Sequence, residues 1–231
     1  MEYETTPETM KPARLRSDSG VPWILGLYGL AGATFVVASH VAQWYGGVRS
    51  DLLIFPFAAV LGGIATFLAG VWAYRTRDGL ATAMLGTWGS FWTAYGLLNL
   101  LVATGRLTLP TVTFPAMGFW FIALAAITWM GTVAAAAEST ALSTVFGFLA
   151  AASTLVAIAD LVGIATLAII AGWLFIVAAI AAWYTASAIL FVDAFGREVL
   201  PLGSIEPARR MWPRSLGAAY APQTHSAQRS A

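Results

Sequence analysis

The chain of 231 residues contains no cysteine, and only 10% of its residues are charged. The lack of cysteine excludes disulfide bonds, thiol nucleophiles and thiolate metal sites, and it leaves the redox compartment undetermined. The formal net charge is +1, so bulk electrostatics do not favour nucleic acid as a partner. Two histidines and widely separated acids form no metal-ligand pattern, and we expect neither a metal nor another cofactor.

Long uncharged stretches dominate the sequence. Hydrophobic residues make up 59% of the chain and the mean hydropathy is +0.76, which is typical of integral membrane proteins. A helix that crosses the hydrocarbon needs about 20 mainly apolar residues, because a rise of about 1.5 Å per residue must cover roughly 30 Å. Six stretches are long enough and predict an all-α bundle of six transmembrane helices: residues 19–48, 52–74, 79–105, 107–137, 139–159 and 161–192.

Aromatic, proline and acidic residues refine the boundaries of these spans. Trp44 and Tyr45 should mark the outer end of the first span, over residues 22–45. Pro56 falls near the start of the second span, where a missing amide donor costs little. The last three spans should cover residues 115–138, 139–160 and 165–192, which puts Asp160 at the outer end of the fifth span.

Polar segments flank the apolar region. We interpret residues 1–20 and 204–231 as flexible cytoplasmic tails, and residues 21–203 as the transmembrane domain. Lys and Arg then number ten on one side of the membrane and two on the other, which puts both termini in the cytoplasm. The ten are Lys11, Arg14, Arg16, Arg75, Arg77, Arg197, Arg209, Arg210, Arg214 and Arg229, and the two are Arg49 and Arg106.

Small residues recur at helical spacing in the second and third spans. Small side chains every four residues form a groove in which another helix backbone can come close, which is how membrane helices associate. The pattern therefore predicts a tightly packed hairpin. The two series are Gly62, Thr66 and Gly70 in the second span, and Thr82, Gly86, Ser90 and Ala94 in the third.

Sequence motifs of enzymes are missing. There is no GxxxxGK[ST] loop to cradle phosphates for ATP-driven transport. A Ser/His/Asp triad would need His40 and Asp160 to meet a hydroxyl inside the membrane, and the spacing does not favour this arrangement. We therefore do not expect an enzyme.

Four short motifs occur in order along the apolar region. They are ILGLYG at 24–29, GGIAxxxAG at 62–70, WGSFW at 88–92 and FGREVLPLG at 195–203. Together with the six-span hydropathy pattern, they resemble the acetate uptake transporter family, the YaaH-like succinate–acetate permeases, over residues 22–203. The resemblance implies transport of small carboxylates in the plasma or inner membrane, a pore inside each protomer, and a homo-hexamer.

The family signature at the start of the first span is partly kept. The family sequence Asn-Pro-Ala-Pro-Leu-Gly-Leu corresponds here to VPWILGL at 21–27, in which Pro22, Leu25, Gly26 and Leu27 match. The Asn, the Ala and the second Pro are replaced. Because the motif borders the substrate route in the family, this departure concerns the identity of the substrate more than the fold.

The resemblance also implies a narrow hydrophobic constriction, whose matching positions here are Leu30, Trp88 and Leu149. A carboxylate loses water at such a ring, so we expect hydrogen-bond donors on either side of it. The alternative is that hydroxyl groups bond to their own helix and that aromatic rings only pack. Besides the indole N–H of Trp88, the candidate donors are Tyr28, Thr87, Ser90, Thr93 and Asn99.

Three titratable or charged residues have two interpretations each. His40 could relay a proton that accompanies the carboxylate, or it could be a neutral side chain bonded to a neighbouring helix. Asp160 at the outer mouth would repel an anion, so capping or snorkelling is the preferred interpretation. Arg197 could attract an anion at the inner mouth, but binding to carbonyls at a helix end is favoured.

Two classes of function stay open. The first is a passive or proton-coupled carrier or channel for acetate and related short acids such as succinate, with ammonia as a different solute within this class. The second is a membrane sensor or assembly protein that retains the fold without transport. The expected partners are a small carboxylate, the lipid bilayer and further copies of the chain.

Overall fold

The computed structural model describes residues 20–46, 50–107 and 115–203. The two predicted tails lie outside these ranges except for Gly20, which begins the first helix, and Arg49 also lies outside them. Within the ranges the chain forms six consecutive helical rods. They are α1 (Gly20–Val41), the rod composed of α2 (Ser50–Phe57), a π-helix (Ala58–Ala65) and α3 (Thr66–Arg75), and then α4 (Gly79–Ala103), α5 (Ala116–Ala136), α6 (Thr140–Val162) and α7 (Ala165–Phe195).

Five of the six rods are long and apolar enough to cross a membrane, judged by length and composition. The remaining rod, α4, has 25 residues but contains several polar side chains, including Thr82, Ser90 and Asn99. It packs against the second rod, α1 and α5, so part of its surface is covered by protein. The predicted all-α bundle is confirmed, whereas the orientation of the termini stays a prediction.

The second rod contains a π-helix that begins two residues after Pro56. Proline has no N–H and its ring clashes with the carbonyl four residues earlier, so Pro56 removes a hydrogen bond from α2 itself. Pro56 was expected close to the start of the span, and it lies in the second turn of α2. The hydroxyl of Thr66 donates to two carbonyl oxygens, Gly26 O in α1 at 3.3 Å and Leu61 O in the π-helix at 3.4 Å. This side chain joins the π-helix to α1.

Glycine residues allow α3 and α4 to approach closely, as their spacing predicts. A Cβ added at Gly70 would lie 2.6 Å from Gly86 N, and a Cβ at Gly89 would collide with the backbone of Phe67. A Cβ at Gly86 would point into open space. Ser90, which was expected in the same groove, is exposed. The face of α4 that meets α3 is therefore rotated by one residue, towards Gly89.

The segment that follows α7 caps the beginning of α6. Ser139 Oγ donates to Leu202 O at 2.7 Å. The backbone N–H groups of Thr140 and Ala141 donate to Gly203 O at 3.1 Å and to Leu202 O at 3.3 Å. The first N–H groups of a helix have no partner within that helix, so these bonds satisfy them. The FGREVLPLG motif thus fixes the start of α6.

Candidate functional site

A cavity of about 350 Å³ lies inside the protomer, and we call it the vestibule. Its wall comes from the C-terminal halves of α1, α4 and α6 and from the N-terminal halves of α5 and α7. These halves meet at one end of the bundle, which is the outer side in the predicted orientation. A water molecule takes about 30 Å³ in the liquid, so the vestibule has room for roughly ten waters or a small organic solute.

Aromatic rings form much of the vestibule wall. The ring of Phe91 lies 5.0 Å from that of Trp92, 5.8 Å from that of Tyr95 and 5.6 Å from that of Phe121. Phe175 adds a ring from α7. The wall is therefore mainly apolar, as ligand pockets usually are, and a few polar groups provide its chemistry.

Buried donors on this wall lack a partner. Thr34 Oγ1 and Trp92 Nε1 have no hydrogen-bond partner among the described residues, although the two residues are only 2% and 3% exposed. Ser153 Oγ on α6 is also unpaired within the described ranges; this residue is fully buried and lies outside the lining set, one turn from the lining residue Val156. Buried polar groups nearly always have a partner, so these unpaired ones are candidate positions for a ligand or water.

The predicted constriction residues Leu30, Trp88 and Leu149 lie deeper, and each is 1% exposed. All three belong to one buried hydrophobic cluster. The Trp88 ring lies 5.5 Å from that of Phe91 and 6.3 Å from that of Phe175, both of which line the vestibule. Trp88 is thus directly behind the vestibule wall, and solvent does not reach the three side chains. Their role as a constriction stays a prediction.

The unpaired donors bear a simple sequence relationship to these three residues. Thr34, Trp92 and Ser153 each follow a constriction position by four residues, that is, by one helical turn on the same face. Since α1, α4 and α6 run in the same direction, all three donors lie on the vestibule side of the constriction positions. Sequence reasoning did not select them, and this spacing is the signal that could have found them.

The structure places the five predicted donors outside the vestibule wall. Ser90 Oγ, Thr93 Oγ1 and Asn99 Nδ2 each donate at 2.8 Å to a carbonyl one turn earlier in α4. Tyr28 Oη is paired with Ser187 Oγ at 2.9 Å, and Thr87 is half-buried on α4. Such bonds to the same helix match the alternative interpretation. A part in substrate binding stays a prediction for all five residues.

The titratable side chains occupy different places. Asp160 lies near the end of α6 and lines the vestibule, rather than only the membrane interface. His40 lines a separate pocket at the same end of the bundle, and its ring lies 5.6 Å from that of Tyr45. Arg197 is exposed directly after Gly196, the C-cap of α7. A proton relay through His40 and an anion role for Arg197 stay predictions.

Trp23 lies near the opposite end of the bundle, at the position where the family signature has Ala. Its indole N–H donates to Asp78 Oδ2 at 2.8 Å, and its ring lies 6.1 Å from that of Phe146. Asp78 Oδ1 also accepts the N–H of Ala81 at 2.9 Å and so caps α4. Trp23 is only 5% exposed, so its ring is buried at this end of the bundle.

Known proteins share this sequence and this fold. The chain is 28% identical over 184 residues to the succinate-acetate/proton symporter SatP of Escherichia coli (strain K12), covering 79% of this chain and 94% of that protein. It is 25% identical over 170 residues to ammonia transport outward protein 2 of Saccharomyces cerevisiae, covering 72% of this chain and 60% of that protein. The solved structure of the bacterial acetate channel SatP matches with a TM-score of 0.72 and 26% identity, over 79% of this chain and 98% of that one.

The family assignment follows from a match over most of the chain. The model of the GPR1/FUN34/yaaH family matches residues 3–195, a range that includes all the helices described above. The relatives named here are transporters and a channel, and the helices are those of a multi-pass membrane protein. The chain belongs to the GPR1/FUN34/yaaH family, which confirms the resemblance drawn from its motifs.

Proposed function

We propose that this protein is a membrane transporter or channel for acetate and related short carboxylates such as succinate. The solute enters the vestibule and then passes between Leu30, Trp88 and Leu149. The functions of the bacterial SatP relatives support the choice of solute. The observation that carries the proposal is the set of unpaired buried donors, Thr34, Trp92 and Ser153, one helical turn from the constriction positions on their vestibule side.

The donors solve the main physical problem of such a route. A carboxylate that leaves water for an apolar ring loses hydrogen bonds, and an unpaired charge is very costly in an apolar interior. Hydrogen bonds to a charged group contribute about 1.5–3 kcal/mol each, so donors beside the ring offset part of this cost. Hydroxyl and indole groups donate without carrying a charge, so they do not trap the anion as a lysine or an arginine would.

Uptake of labelled acetate into liposomes containing the purified protein tests the proposal. Thr34→Val and Ser153→Ala each remove one hydroxyl with little change in shape, and Trp92→Phe removes the indole N–H but keeps an aromatic ring. Each should raise the apparent KM for acetate about tenfold, equivalent to about 1.4 kcal/mol. The matched controls are Trp72→Phe and Thr144→Ala, which change exposed side chains and should leave the KM unchanged. Unchanged KM values in all three donor variants would contradict the route.

The wild-type protein decides between the two classes of function. Saturable acetate flux above that of protein-free liposomes, with competition by succinate, is the expected result. Absence of flux for every short acid tested would favour a sensor or assembly protein that has kept the fold. In that case the donor variants would differ from the wild type in stability alone.

Ammonia is a second candidate solute. The vestibule combines one acidic side chain, Asp160, with several aromatic rings, and both attract ammonium, the protonated form of ammonia. The relative from Saccharomyces cerevisiae is named as an ammonia transport protein. Uptake of labelled methylammonium that acetate does not inhibit would favour this solute, whereas acetate uptake that ammonium does not inhibit would favour the carboxylate.

We further propose a hexamer with both termini in the cytoplasm. The protomer exposes large apolar side chains, such as Phe119, Met130 and Val133 on α5, which lipid or a neighbouring subunit would cover. Native mass spectrometry from a mild detergent should show six chains. Protease treatment of sealed spheroplasts should leave both termini intact.

A further inference from the structure

Asp160 lies on the path into the vestibule. It follows Ser153 by seven residues, which is two turns further along the same face of α6. Asp160 lines the vestibule and lies near the C-terminal end of α6. A solute that enters from this end therefore passes Asp160 before it reaches Thr34 and Trp92. An acid at this point lies in the route of an anion.

The charged groups around the vestibule do not neutralise this carboxylate. Among the described residues that line the cavity, Tyr95 on α4 is the other titratable side chain, and the lining residues of α5 and α7 are apolar. On α1, His40 belongs to the neighbouring pocket, which shares Val41 with the vestibule. Arg106 is exposed after the end of α4 and lies outside the lining set.

Two carboxylates in this space would repel each other. At the separation of about 4 Å that a shared proton requires, and with an effective dielectric constant near 20, the repulsion would weaken binding of the second carboxylate about 1,000-fold. Carboxylates that share a site avoid this penalty when one of them holds a proton. A protonated pair also forms an O–H···O⁻ hydrogen bond, one of the stronger kinds in proteins.

We propose that Asp160 is the proton site of the vestibule, where it shares one proton with the carboxylate of the solute. This inference rests on the proposed carboxylate transport. The proton comes from the outer solution and binds between the two carboxylates. It then leaves with the solute as the neutral acid, while Asp160 is left ionised. The neutral acid crosses the apolar ring at a lower desolvation cost than the anion does.

Calorimetric titration of the full-length protein with acetate tests the inference. Titrations at neutral pH in buffers of different ionisation heat count the protons taken up with each acetate. The wild type should take up nearly one proton, and Asp160→Asn should take up almost none. Because Asp160 reaches water, which screens the repulsion, Asp160→Asn should bind acetate only about tenfold more tightly at pH 7.5.

Control variants show whether a change in proton uptake is specific to Asp160 or follows the loss of any acidic side chain. Glu138→Gln removes an exposed carboxylate in the connection between α5 and α6 and should keep the wild-type proton count. Asp160→Glu keeps a carboxylic acid at this position and should also keep the wild-type proton count. These two variants and the wild type provide the test even where Asp160→Asn does not fold.

The outcomes distinguish this inference from the proposed function. A wild type that transports acetate but takes up no proton on binding overturns the role of Asp160 and leaves carboxylate transport standing. Undiminished proton uptake in Asp160→Asn would also overturn the role of Asp160 and leave carboxylate transport standing. A wild type with neither saturable flux nor acetate binding overturns both proposals.

Discussion

The indole N–H of Trp23 donates to Asp78 Oδ2 at 2.8 Å, and this bond connects α1 to the turn between α3 and α4. The other oxygen of the same carboxylate accepts the N–H of Ala81 at 2.9 Å and caps α4. The ring of Trp23 also lies against Phe146 on α6. One carboxylate and one indole therefore hold several rods together at the end opposite the vestibule.

Replacing Asp78 should destabilise the protein through both of its bonds. Asp78→Ala removes the cap of α4 and leaves the buried Trp23 N–H without its partner, so we expect a loss of about 2–3 kcal/mol. Asp78→Asn keeps an oxygen for one of these bonds and should lose less. Thermal unfolding in detergent measures the difference. Thr76→Ala changes a hydroxyl in the same turn that donates to Ala73 O, and a loss equal to that of Asp78→Ala would contradict this account.

Two glycines of α4 should respond oppositely to alanine. At Gly89 a methyl group would collide with the backbone of Phe67, which cannot move aside as a flexible side chain can, so Gly89→Ala should cost about 1–3 kcal/mol. At Gly86 the methyl group would meet open space, and Gly86→Ala should be neutral or stabilising by up to about 1 kcal/mol through helix propensity. Melting temperatures of the two variants check this contrast, and equal losses would refute the packing described here.

The connection between α5 and α6 should add a dependence on pH. Burial raises the pKa of Glu138 above its ordinary value of 4.5, and the charge of Asp78 raises it further. The folded state therefore holds this proton more tightly than the unfolded state does. Stability should fall as the pH rises from 4.5 through the raised pKa, and it should then level off.

Glu138→Gln should remove this slope. The variant should be more stable than the wild type at neutral pH, by less than about 0.5 kcal/mol, because the burial is partial and the water that reaches the side chain screens its charge. Chemical unfolding at a series of pH values measures the slope. Since burial is the larger cause, the slope should persist, though reduced, in Asp78→Asn; its complete loss there would show that the order of the two causes is wrong.

The six rods could be predicted from the sequence because their cause is local. Uncharged stretches of sufficient length must pair their backbone groups internally in lipid, and that requirement alone specifies helices. The predicted fourth span, residues 115–138, contains α5 (Ala116–Ala136) with only a few residues of difference. The π-helix after Pro56 was not predicted, because the course of a helix beyond a proline depends on what it packs against, here Gly26 and Gly29 of α1.

The candidate site was only partly predictable, because it depends on which faces of distant helices meet. The resemblance selected Leu30, Trp88 and Leu149, and the structure buries all three in one cluster. The hydroxyl of Ser90 was expected near them, but it bonds to Gly86 O in its own helix. Asp160 was placed correctly near a helix end, but its sequence position could not show that it also lines an internal cavity.

The size of Trp88 should limit how fast and how selectively solute passes. Trp88→Leu removes bulk from the fully buried cluster, and it should raise the maximal rate of acetate uptake several-fold and admit longer monocarboxylates. Trp88→Phe removes the N–H but keeps an aromatic ring, so the maximal rate should change much less. Uptake of acetate and of longer acids into liposomes, normalised to the amount of folded protein, measures both effects.

Stability must be measured alongside, because a large-to-small change in a core costs several kcal/mol through the cavity it leaves. Trp72→Leu is the matched control: it makes the same change at a side chain that is 53% exposed, and it should alter neither rate nor selectivity. A folded Trp88→Leu protein with wild-type rate and selectivity would mean that solute does not pass Trp88. A gain in rate shared with Trp72→Leu would point to leakage around the protein. Only a gain confined to Trp88→Leu places this side chain in the path, because the two substitutions remove the same atoms and differ only in what surrounds them.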